Sequence, residues 1–189
     1  MKVSQGAANS ARSTRRRRLV WWLLVGRAVL VLSLGLAFLL TGDNRSILGN
    51  LLSTAWLAGA VLTLAWVRTN WGRRGSRLSL IAGVVGIAGA IIGLSRFLIQ
   101  SAISSDAALA ILGATAVLVG ALRLSGAYRD DAAERPRLSR RIVLGLGEVI
   151  VGVVWITTDE VTPTVTTSAG IWGLVGGTIM LIDAINADP

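Results

Sequence analysis

Five charged residues stand inside long apolar runs of this sequence: Arg27, Arg96, Arg123, Glu148 and Asp183. A charge near the centre of a bilayer costs about 2.5–3.5 kcal/mol on insertion scales, so such residues are candidates for ion pairing, proton handling or solute contact. Depth sorts them. Arg96 falls near the outer end of its run, and Arg123 and Asp183 near the cytoplasmic ends of theirs, where long side chains reach the headgroups and anchor. Arg27 lies nine residues past Arg18, and Glu148 seven past Arg141. At 1.5 Å rise per residue both sit roughly 11–13 Å in from the same boundary. We expect them to pair across a contact between the first and fifth helices and so fix register. A sharper expectation makes Glu148 a protonatable site, its charge opposed by burial and supported by Arg27. Glu148 shares a face with Gly145, Gly152 and Trp155, at spacings of three, four and seven, and that face should pack on another helix.

Other chemistries find no support in the residue types. The chain has no Cys and no His, which removes the usual zinc sites and thiol catalysis. No Ser has a His partner and no two carboxylates share an apolar run, so hydrolysis has no machinery. The Gly-rich stretch of the third run is not a phosphate loop, since no strand precedes it and no Lys follows. The expectation is a non-enzyme with no catalytic residues, no metal and no cofactor.

The elements that must position these charges are six apolar runs: Leu19–Leu40, Ile47–Val67, Leu78–Leu98, Ala107–Gly126, Ile142–Thr158 and Thr166–Ile185. About 20 helical residues cross a hydrocarbon core roughly 30 Å thick. Open strands cannot span lipid, and a barrel would need alternating segments of about ten residues. These runs do not alternate, so they predict an all-α membrane protein of six transmembrane helices. Composition agrees: 53% of the 189 residues are apolar and 15% are charged, against about 25% charged in soluble domains. The net charge of +9 would suggest nucleic acid in a soluble protein. Its confinement to three short segments between apolar runs argues against that partner.

Those segments set the threading. Lys2, Arg12 and Arg15–Arg18 precede the first run; Arg68, Arg73, Arg74 and Arg77 fill the second loop; Arg129, Arg135, Arg137, Arg140 and Arg141 fill the fourth. The other three loops hold Arg45 beside Asp43, Asp106, Asp159 and Glu160. Positive charge stays cytoplasmic, so both termini are expected inside a cytoplasmic membrane, with Trp21, Trp22, Trp66 and Trp71 at that interface. Basic segments there also attract anionic lipid headgroups, at about 1 kcal/mol per residue. The first run is too long for a cleavable signal, and no cleavage site follows Leu40. Residues 1–18 read as a disordered basic tail.

The spans group into three helical hairpins, 19–67, 78–126 and 141–186, with a period of about 60 residues, as duplicated membrane proteins show. Gly120 and Gly176 fall at comparable points of the second and third. Small residues form stripes that let helices approach closely: Gly83, Gly86, Ala90 and Gly93 on the third helix, with Gly89 four before Gly93, Gly145 and Gly152 on the fifth, and Gly170, Gly173, Gly177 and Ala184 on the sixth. Packing within the chain is the first expectation for them, with a homo-oligomer as the other.

Gly120-Ala-Leu-Arg123-Leu124, Tyr128-Arg129, Gly145-Leu-Gly147-Glu148 and Trp172-Gly173-Leu174-Val175-Gly176 resemble the HdeD-like family of small bacterial membrane proteins, most clearly over residues 80–186. The Pro that closes the outer turn in that family occurs here only as Pro163. The resemblance implies a bacterial cytoplasmic membrane, six helices in paired repeats and a role in acid-stress resistance, and it brings no catalytic residues. The functional expectation is a stress-related structural or interaction role. The alternative is a small transporter or channel with Glu148 and Arg27 lining a polar path.

Overall fold

The computed structural model describes residues 3–40, 45–69, 71–72, 76–99, 104–128, 135–158 and 163–186. They form six α-helices: α1 Val3–Leu40, α2 Arg45–Thr69, α3 Ser76–Ile99, α4 Ser105–Tyr128, α5 Arg135–Ile156 and α6 Pro163–Ile185. Five of these, α1 to α4 and α6, hold stretches long and apolar enough to cross a membrane. In α5 the residues Arg140, Arg141 and Glu148 dilute the apolar run.

Two boundaries differ from expectation. The tail expected to be disordered joins α1, which begins at Val3. Extending an existing helix adds one hydrogen bond per residue without a new nucleus, and the Ala and Arg of this segment are good helix formers. At the other boundary the fifth helix stops at Ile156, two residues short of Thr158. There the Thr157 hydroxyl donates to the Val153 carbonyl (3.0 Å) and the Thr158 hydroxyl to the Val154 carbonyl (2.6 Å), local bonds that compete with helix continuation.

Each helix packs on its neighbours in sequence, and α6 packs on α1, so the six close into a ring. The extensive interfaces are α2·α3, α4·α5 and α1·α6, whereas α1·α2, α3·α4 and α5·α6 touch more lightly. Small residues explain the difference. On α4·α5, a Cβ added to Gly120 would lie 2.6 Å from the Gly145 carbonyl oxygen, and one added to Gly113 would lie 2.6 Å from that of Gly152. On α1·α6, a Cβ on Gly35 would lie 2.7 Å from the Leu174 nitrogen, and one on Gly177 would lie 2.6 Å from Leu32 Cγ. On α2·α3, Gly83 meets Leu64, Gly86 meets Ala60 and Gly93 meets Ser53. In each interface, moving up one helix moves down the other, so the partners are antiparallel. Side chains larger than hydrogen would force these backbones apart.

The outer surface carries exposed Val29 and Leu36 on α1, Val61 on α2, Val84 and Ile91 on α3, Leu118 on α4, Ile150 and Val153 on α5, and Ile171 and Val175 on α6. This apolar exterior on every helix goes with the five helices long and apolar enough to cross a membrane. Inside, Phe38, Leu52, Leu109, Leu112, Val151, Trp155, Val165 and Ala169 form one buried cluster. It plugs the end of the ring where α5 terminates and α6 begins.

Candidate functional site

All six helices line one central cavity of about 130 Å³. Phe38, Trp56, Trp155 and Trp172 form apolar walls. Trp56 and Trp155 meet edge to face, with ring centroids 6.1 Å apart. The Trp155 indole N–H donates to Ser168 Oγ at 3.3 Å, which orients that ring. Three charged side chains enter the same cavity: Arg27 from α1, Arg123 from α4 and Glu148 from α5.

The α4·α5 glycines bring two of those charges together. Gly120 lies on Gly145, and Arg123 and Glu148 each follow their glycine by three residues. Because the helices are antiparallel, the two residues are offset along the bundle by about 9 Å at 1.5 Å per residue. Each side chain leans toward the N-terminus of its own helix, so they lean toward one another and close that gap. Arg123 Nη1 and Glu148 Oε1 form an ion pair, and the Glu148 side chain keeps only 8% of its surface exposed. Glu148 Oε2 is buried without a hydrogen-bond partner among the described residues.

The expected pair of Arg27 with Glu148 does not form. Helices α1 and α5 are separated in the ring by α6 and share no extensive contact. Their depths differ as well. Trp172 of α6 lies over Gly147, and Gly173 lies on Gly35, which puts Glu148 level with the neighbourhood of Gly35. Arg27 is eight residues, or about 12 Å, nearer the N-terminal end of α1. Helices α1 and α5 do not enter the bundle at the same distance from Arg18 and Arg141, so similar spacing from those residues does not give similar depth. Arg27 lies within electrostatic reach of both Arg123 and Glu148. Among the described residues it makes no ion pair, and its Nε is buried with no hydrogen-bond partner.

Arg123 therefore acts inside the bundle, where anchoring at the headgroups was expected. Asp183 does not act alone either: it pairs with Arg140 across α5·α6, both side chains roughly a quarter exposed. The Arg96 side chain lies outside the described residues. Glycines 83, 86, 93, 145, 152, 173 and 177 all stand at close approaches between helices of this chain. Trp56, Trp155 and Met180 were not singled out as site residues from sequence, though they line the cavity. Trp155 carried one signal, its spacing of seven from Glu148 on the same face; Trp56 and Met180 carried none, since a Trp in a membrane helix reads equally well as an interface anchor or as packing. Arg123 did carry one, its spacing of three from Gly120, the same spacing that sets Glu148 on Gly145.

No family model, curated protein or solved structure matches this chain.

Proposed function

We propose that this chain is a multi-pass protein of the bacterial cytoplasmic membrane that binds and carries a small solute in its central cavity. The observation that supports this most is that Arg27, Arg123 and Glu148 converge on a space lined by every helix. Intramembrane charges are expensive, and they cluster where a bundle handles ions or solutes. A purely structural role would be served by the Arg123–Glu148 pair, but it gives no reason to keep Arg27 facing the same cavity without a partner.

In this reading α5 is the sixth span. Its charged end, Arg140 and Arg141, stands at the cytoplasmic face, and Glu148 is sheltered by the ring. Both termini are cytoplasmic, by the sidedness of the arginines. The three hairpins are repeats, supported by a recurring seven-residue pair at the extensive interfaces: Ser53 and Ala60 on α2, Gly113 and Gly120 on α4, Gly170 and Gly177 on α6. By that register the counterpart of Gly120 is Gly177, one residue past Gly176. The counterparts of Glu148 are then Gly35 and Gly89, so the charges break the repeat. Sites between repeats are where membrane carriers place their substrates.

The test is flux. Purified protein in proteoliposomes should move small organic anions or protons faster than protein-free vesicles, and Glu148→Gln should change that rate. Flux equal to that of empty vesicles for protons, inorganic anions and small carboxylates would leave the bundle a scaffold. The stress role belongs to the same proposal: a deletion strain should grow more poorly than its parent at low pH.

A further inference from the structure

We infer that the cavity binds a small amphipathic monocarboxylate, its carboxylate on the Arg27 guanidinium and its apolar body against Val31 and Met180, which line the cavity within a turn of the same depth. This rests on the proposed solute-binding role and names its ligand class.

Charge comes first. Arg123 and Glu148 neutralise each other as an ion pair, which among the described residues leaves Arg27 as the charge of the cavity without an ion pair. The charged groups facing this space are Arg27 from α1, Arg123 from α4 and Glu148 from α5, while α2, α3 and α6 contribute only uncharged residues. The site is therefore one positive charge in excess. Arg27 Nε is shielded from solvent and has no acceptor among the described residues, and a guanidinium presents its donors as a planar fork that fits a carboxylate with two parallel hydrogen bonds. A cation or a neutral polar solute would leave that charge unanswered.

Size and wall chemistry narrow the class. An engineered apolar cavity of about 150 Å³ holds benzene, and this one is about 130 Å³. That space suits a ring or a short branched chain. Beyond the three charges its walls are apolar side chains and glycine, so the body of the anion is apolar. A single carboxylate matches the single excess charge, and a dicarboxylate would bring a second charge against those walls.

Fluorine NMR titration of the full-length protein in detergent, with 4-fluorobenzoate as probe, tests the assignment. Saturable binding is expected, with 4-fluorobenzyl alcohol at least about tenfold weaker because it lacks the charge. Arg27→Gln should weaken 4-fluorobenzoate at least about tenfold, and Arg27→Lys should restore part of the loss. Gly59→Leu gives a second variant: an added Cβ at this cavity-lining glycine meets nothing within 4 Å, so the wall has room for a larger residue there and binding should fall. Equal affinity for the alcohol, or unchanged affinity in Arg27→Gln, would overturn the assignment. So would loss of 4-fluorobenzoate binding on adding phosphatidylglycerol, which would give Arg27 to a lipid headgroup. Binding without flux would leave this inference standing and remove the carrier role. Flux of another solute without 4-fluorobenzoate binding would do the reverse.

Discussion

Arg123 and Glu148 are offset by six residues along the antiparallel α4·α5 interface, yet they form an ion pair because each side chain leans toward the other. The pair depends on the glycine contacts beside it, Gly120 on Gly145 and Gly113 on Gly152, which set both the distance and the register of the two helices. Arg27 shares the cavity but not the pair. Among the described residues, this asymmetry separates the charges into a structural couple and one cation without an ion pair.

Arg123→Gln and Glu148→Gln should each destabilise the bundle by about 3 kcal/mol, since breaking a buried pair leaves its partner uncompensated. Arg27→Gln should stay within about 1 kcal/mol of the parent in the absence of ligand, because it removes a desolvated charge that has no partner to lose. Equilibrium unfolding in mixed micelles measures all three. A loss for Arg27→Gln as large as that for Glu148→Gln would contradict the division of roles.

Gly120→Ala should cost about 1–3 kcal/mol, as overpacking does in a close interface, because its Cβ would press on the Gly145 carbonyl oxygen at 2.6 Å. Gly26→Ala is the control. Its Cβ meets nothing within 4 Å, and removing a helical glycine should gain up to about 1 kcal/mol. Thermal melts of the two variants in one detergent compare them directly. Equal effects would mean that α4 and α5 are not held by backbone proximity.

Asp183→Asn should cost less than about 1 kcal/mol, and the loss should shrink in high salt, because the Arg140–Asp183 pair is partly exposed. Melting curves at low and high ionic strength report both. A salt-independent loss of several kcal/mol would place this pair away from water.

The chain has no cysteine, so single cysteines report sidedness without background. Trp71→Cys should react with an impermeant thiol reagent only after the inner face is exposed, and Ser104→Cys and Thr158→Cys should react from outside intact cells. Labelling of Thr158→Cys from the inside would mean that α5 does not cross, and the proposed threading would fail with it.

Composition and spacing were enough to show six helices, because a lipid-spanning segment must be long and apolar whatever it packs against. The charges that interrupt those runs, Arg27, Arg123, Glu148 and Asp183, were legible for the same reason: a charge in an apolar run is conspicuous in one dimension. So were the small-residue stripes. Helix ends were less legible, since Val3 and Ile156 depend on local competition that periodicity does not record.

Which charge meets which was decided only by the tertiary structure. Arg27 and Glu148 matched in depth when each was counted from its nearest basic residue, yet α6 stands between their helices and shifts them about 12 Å apart along the bundle. Partner choice depends on which helices are neighbours, on their register and on the lean of each side chain. Glycine contacts such as Gly120 on Gly145 set the register, and a glycine written in sequence does not say which backbone it will touch. The cavity has the same origin: its walls come from six helices, and no single segment carries enough of it to be read alone.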